Sequence, residues 1–85
     1  MRLHFTKKAE KGYIRLPVLV QKKCDKQFLL LLSDYKHPSL RARKMSGTDV
    51  FEGRVDYHHR FTFSVEAGDV NILSIGPHDE GLGKK

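Results

Sequence analysis

Cysteine is the scarcest chemistry in this chain: Cys24 stands alone among 85 residues. A lone thiol excludes an internal disulfide and a Cys-x-x-Cys zinc site, and it fits a reducing cytoplasm. Long apolar runs are also missing. The longest, residues 28–32, falls far short of the ~20 residues a membrane-spanning helix needs. The first eight residues carry no apolar stretch of signal-peptide length, so a cytoplasmic protein without membrane contact is expected. There is no Gly-x-x-x-x-Gly-Lys loop, no dinucleotide fingerprint and no Ser-His-Asp order with supporting turns. Those absences remove NTPases, nicotinamide enzymes and triad hydrolases, and no cofactor is expected. Internal repeats, low-complexity stretches and linkers are absent too, so residues 1–85 read as one domain. Acidic residues are the last shortage: 10 Asp and Glu against 16 Lys and Arg, a net charge of +6. That balance suits a polyanionic or acidic partner, whether nucleic acid, ribosome or acidic protein.

A chain of this size buries only about 60–65% of its unfolded surface, which leaves a thin core and little room for a deep pocket. Leu3 and Phe5 alternate with Arg2 and His4, predicting a short first strand. Thr6 is placed to cap a following helix whose inner face is Ala9, Tyr13 and Leu16. Gly12 sits inside that helix at a cost of about 1 kcal/mol relative to alanine. Pro17 opens a second helix to about residue 35, with Val20, Cys24, Phe28, Leu31 and Tyr35 on one stripe. The two make a helical hairpin. A loop at residues 33–39 leads to a strand at 40–45, where Leu40 and Ala42 alternate with Arg41 and Arg43. A turn around Gly47 precedes a meander of strands at 50–57, 59–66 and 70–75. The expected class is α+β: short strand, helical hairpin, then a twisted antiparallel sheet.

The meander strands carry a charged phase. Phe51, Val55 and Tyr57 alternate with Glu52, Arg54 and Asp56; His59, Phe61, Phe63 and Val65 alternate with Arg60, Thr62, Ser64 and Glu66. Arg41, Arg43 and Lys44 add cationic positions from the preceding strand. Two readings stand side by side. One is a solvated face balanced by Glu52, Asp56 and Glu66, whose ion pairs contribute little. The other is a phosphate-binding face, because the planar arginine fork matches phosphate geometry. Among the histidines, His37 and His78 fall on loops, where functional residues concentrate, while His59 lies in the apolar phase and His4 on an edge strand. A histidine titrates near neutral pH and can move protons in RNA transesterification. His37, His58, His59 and His78 show no helical i, i+4 ligand pair, so no metal site is expected.

Three stretches resemble the RelE/ParE superfamily of type II toxin–antitoxin toxins: His37-Pro38-Ser39-Leu40-Arg41 with Lys44; Phe51-Glu52-Gly53-Arg54-Val55 leading to Arg60-Phe61-Thr62-Phe63; and Ile75-Gly76-Pro77-His78-Asp79. The resemblance implies a compact toxin with a helical hairpin on a twisted antiparallel sheet, neutralised by a cognate antitoxin. RelE-like members cleave mRNA in the ribosomal decoding site, and ParE-like members inhibit DNA gyrase. The His-Asp ending is most similar to the YafQ-like branch of mRNA interferases. That likeness implies a catalytic set of His78, His37, His59, Arg54 and Arg60, with Arg41, Arg43, Lys44 and Glu52 along the RNA. The alternatives are a gyrase-binding toxin and a toxin-fold module without activity. Many members carry alanine where Gly53 stands.

Overall fold

The computed structural model describes residues 2–77. Strand β1 (Leu3–Phe5) runs into helix α1 (Lys7–Ile14) and then helix α2 (Val18–Ser33). A 3-10 turn (Pro38–Leu40) follows, then β2 (Arg43–Lys44), β3 (Phe51–Arg54), β4 (His59–Glu66) and β5 (Asp69–Pro77). The five strands form one sheet in the order β1-β5-β4-β3-β2. The pairs β2–β3, β3–β4 and β4–β5 are antiparallel. The first strand, whose pairing the sequence left open, lies parallel to β5, with Leu3 opposite Val70 and Phe5 opposite Ile72. The helical hairpin between β1 and the meander supplies the long crossover that a parallel pair requires. Among the described residues no helix is long and apolar enough to cross a membrane.

Local chemistry explains the elements. Thr6 Oγ1 accepts from the Ala9 amide at 3.1 Å and caps α1, while the same hydroxyl donates to the Leu73 carbonyl at 2.9 Å and fastens the helix start to β5. Gly12 is where α1 comes closest to the sheet: a Cβ there would collide with the Ile75 carbonyl. The helical penalty of glycine is therefore offset by close packing. The α2 stripe buries Cys24, Phe28 and Leu31, and Phe28 meets Phe5 and Phe61 edge-on, with centroids 5.5 and 5.2 Å away. Burial, reinforced by the charges of Asp25 and Asp56, pushes the Cys24 thiol up to about 12, so it stays protonated and unreactive.

Three strand boundaries differ from the sequence expectation, each for a local reason. The strand expected at 40–45 shrinks to Arg43–Lys44 because Pro38–Leu40 coils into a 3-10 turn and Arg41 closes it in the left-handed region, φ 48°. The next strand stops at Arg54, not residue 57. There the Asp56 carboxylate accepts from the amides of His58 and His59, both at 2.9 Å, and turns the chain. Tyr57, expected in the apolar phase, is consequently 76% exposed. The last strand extends to Pro77 and shifts register beside Thr62 and Phe63, where Leu73 is the extra residue between the partners Ile72 and Ser74. The shift lets Ile72 and Ile75, three apart, both face the core.

Candidate functional site

The helices cover one face of the sheet, where Phe61, Phe63, Val70, Ile72 and Ile75 pack. The other face carries the polar phase in rows set by the register. Arg43, Glu52, Thr62 and Ser74 lie in one row across four strands, and Arg54, Arg60 and Gly76 lie in the next. Gly76 extends no side chain over its neighbour Arg60. At this end of the face a shallow depression of about 370 Å³ is lined by Arg41, Arg43, Glu52, Gly53, Arg54 and Arg60. Gly53 lines it with backbone alone, and on the opposite, helix-covered side a Cβ there would enter the ring of the fully buried Phe61.

Four arginines thus meet a single carboxylate. Glu52 Oε1 lies 3.3 Å from Arg43 Nε, and among the described residues no carboxylate pairs with Arg41, Arg54 or Arg60. Of the ion pairs a solvated, balanced face would hold, the depression contains one, Arg43 with Glu52. Arg54 and Arg60 are direct cross-strand partners, an arrangement of like charges that costs stability without compensation. The compensation for Arg60 is its anchorage. Its Nη1 donates to the carbonyls of Asp56 at 2.6 Å, His59 at 3.1 Å and Tyr57 at 3.2 Å. Arg60 is only 9% exposed, and its guanidinium holds the 55–59 turn closed and presents a fixed charge to the depression.

The remaining candidates lie elsewhere. Lys44 is registered with Phe51, on the phase opposite to Arg43, and its Nζ sits 3.9 Å from Asp49. His37 caps the 3-10 turn: its Nδ1 accepts from the Ser39 amide at 3.1 Å, which places the proton of the neutral ring on Nε2. His59, as its apolar phase implied, points away from Arg60 toward the helices. Its Nδ1 lies 2.9 Å from Asp56 Oδ1, whose partner oxygen is 3.8 Å from Lys23 of α2. The exposed His58 ring packs edge-on against Tyr57. The structure therefore gathers Arg41, Arg43, Glu52, Arg54 and Arg60, and leaves Lys44, His37 and His59 outside the depression. His78 lies outside the described residues; the last described residue, Pro77, is registered with His59.

The sequence reading missed Gln27. This α2 residue is 9% exposed, and its amide nitrogen donates to the Arg54 carbonyl at 2.8 Å and the Ser39 carbonyl at 3.3 Å. The available signal was a glutamine inside the apolar stripe between Cys24, Phe28 and Leu31, where a polar side chain needs buried partners.

Asp56 gives the site an acid-sensitive element. Burial raises its pKa, but the hydrogen bond from the His59 ring, the His58 amide, the charge on His59 and the His59 amide outweigh burial and hold the carboxyl below its ordinary value. A depressed folded pKa stabilises above the unfolded value and is lost as pH falls through the folded one. Asp56→Asn should therefore be less stable than the parent at neutral pH, with the gap closing below about pH 4. Urea melts of both proteins from pH 6 to pH 2.5 read this directly; a gap of constant size would show that the carboxylate charge contributes nothing.

No protein-family model matches the chain, and no curated protein does. Solved structures do match. A YoeB/ParE toxin from Agrobacterium tumefaciens superposes with a TM-score of 0.81 at 16% identity, over 92% of this chain and 99% of that one. RelE of the archaeal RelE–RelB complex from Pyrococcus horikoshii OT3 gives 0.79 at 20% identity, over 94% and 97%. YafQ from E. coli strain BL21(DE3) gives 0.71 at 12% identity, over 95% and 97%. At these identities the likeness is one of architecture, and it spans nearly the whole chain: this protein is built on the fold of the YoeB, RelE and YafQ toxins.

Proposed function

We propose that this protein is the toxin of a type II toxin–antitoxin pair and acts as an endoribonuclease on ribosome-bound mRNA. One observation carries the reading: on a toxin fold, four arginines share a depression with a single carboxylate. A phosphodiester has the negative charge and the paired non-bridging oxygens that such a group of planar guanidinium forks binds. In the reaction the 2′-oxygen bonds to the adjacent phosphorus while the bond from phosphorus to the 5′-oxygen breaks. A base removes the 2′-hydroxyl proton, an acid protonates the departing 5′-oxygen, and a cyclic phosphate remains. Arg54 and the anchored Arg60 stabilise the extra negative charge of the phosphorane, and the fixed position of Arg60 means little reorganisation is needed. Arg41 and Arg43 hold the flanking backbone, with Glu52 orienting Arg43. His78 is assigned the proton transfer. His37 is the nearer candidate for its partner, since the turn it caps leads into Arg41.

The partner is a cognate antitoxin, by analogy with the RelE–RelB complex of the structural neighbour. A net charge of +6 favours an acidic one. Primer extension on translating mRNA after induction tests the activity. Cuts within codons are expected; intact mRNA with trapped gyrase would replace this reading with gyrase inhibition, and intact mRNA with free gyrase would leave a binding module.

A further inference from the structure

We infer that Gln27 is a positioning residue for the arginine depression: it sets the gap between the wall that carries Arg41 and the wall that carries Arg54. The inference rests on the RNA-binding reading of that face. One amide nitrogen bridges two segments that otherwise belong to different parts of the chain. The Ser39 carbonyl, at 3.3 Å, lies in the 3-10 turn that Arg41 terminates, and the Arg54 carbonyl, at 2.8 Å, lies at the end of β3. The donor comes from a third element, α2, in the middle of its buried stripe.

The backbone at both contacts is demanding. Arg41 adopts φ 48°, unusual for a non-glycine residue, so the direction of its side chain depends on the turn being held in place. β3 has just ended at Arg54, where the chain turns toward Asp56. Two arginines on separate loop ends engage one phosphate chain together only if their spacing is fixed. Removing the bridge leaves two carbonyls without their donor and lets each wall settle separately.

A control with equivalent chemistry exists in the same helix. Gln21 donates to the Tyr13 carbonyl at 2.9 Å and ties α2 to α1, away from the arginine face. Methionine matches glutamine in length but cannot donate. The test compares the full chain with Gln27→Met, Gln21→Met and Arg54→Ala. Thermal stability is measured beside the affinity for a short single-stranded RNA oligomer over a range of salt. Both methionine variants should melt at lower temperature than the parent. Only Gln27→Met should also weaken RNA binding, by ~10-fold, and flatten the salt dependence by roughly 0.7, the equivalent of one phosphate contact on a single strand. Equal affinity and slope for the two methionine variants, with Arg54→Ala weakened, would overturn the positioning role and keep the RNA face. Unchanged binding by Arg54→Ala, or no binding by the parent, would overturn both.

Discussion

Gly12→Ala is expected to lower the melting temperature by roughly 10 °C or more, although alanine is the better helix former. The gain from propensity is about 1 kcal/mol. Against it stands a Cβ driven into the Ile75 carbonyl, with the carbonyl carbon only 3.2 Å away and the Ile75 Cβ at 3.4 Å. The obstacle is backbone, so no rotamer change relieves it. Ile75 pairs with Phe61 in the middle of the sheet, and Phe61 is fully buried, so β5 has nowhere to retreat. Helix α1 is pinned at its start by the Thr6 amide, 3.1 Å from the Ile72 carbonyl, and by the Thr6 hydroxyl on Leu73. Overpacking of this kind costs about 1–3 kcal/mol and more where nothing yields. In a domain of this size each kcal/mol moves the midpoint by about 4–8 °C, so a net loss near 2 kcal/mol gives the stated shift. Thermal circular dichroism decides it. An alanine variant melting at or above the parent would mean that α1 stands farther from the sheet than these contacts allow.

The sequence made some of this legible and hid the rest for identifiable reasons. Strand β4 was readable to the residue, since its sequence from His59 to Glu66 alternates in type without interruption, although Arg60 and Thr62 of the polar phase are buried along with Phe61 and Phe63. The same alternation placed Arg54 with Arg60 and turned His59 away from them. Lys44 was grouped with the arginines by proximity in sequence, although strict alternation from Arg43 already puts it on the other phase. The parallel pairing of β1 with β5 joins residues 67 positions apart, and no local pattern encodes it. The bulge at Leu73 breaks the period of two, which is why Ile72 and Ile75 read poorly as one face. For Arg60 the sequence shows a place on the charged phase but not the anchorage. Its burial depends on three carbonyls that converge only after the Asp56 turn closes, a tertiary event invisible in residue spacing. Gln27 was hidden in the same way, because both its acceptors are backbone atoms of distant segments.

His78→Ala should abolish growth arrest by cutting the cleavage rate ~10²–10⁴-fold, the usual contribution of a positioned proton-transfer group. His78 lies outside the described residues, so the argument rests on what precedes it. Gly76 pairs with Arg60 and Pro77 with His59, and the described chain therefore ends at the arginine end of the sheet. The other histidines are less suited to the role: His59 is held toward the helices by Asp56, and the Nδ1 of His37 is committed to its own turn. A melting curve of His78→Ala beside that of the parent separates a loss of chemistry from a loss of fold. RNA affinity should persist, because the arginines proposed to bind phosphate are untouched. Arg54→Ala should differ by losing affinity and rate together, since a guanidinium that meets the phosphate acts in both the bound and the transition state. The decisive comparison is single-turnover cleavage by the two variants at saturating RNA. A folded His78→Ala protein as toxic as the parent would move the proton transfer to His37 or to the 2′-hydroxyl's own surroundings, and leave the arginines as the whole of the catalytic device.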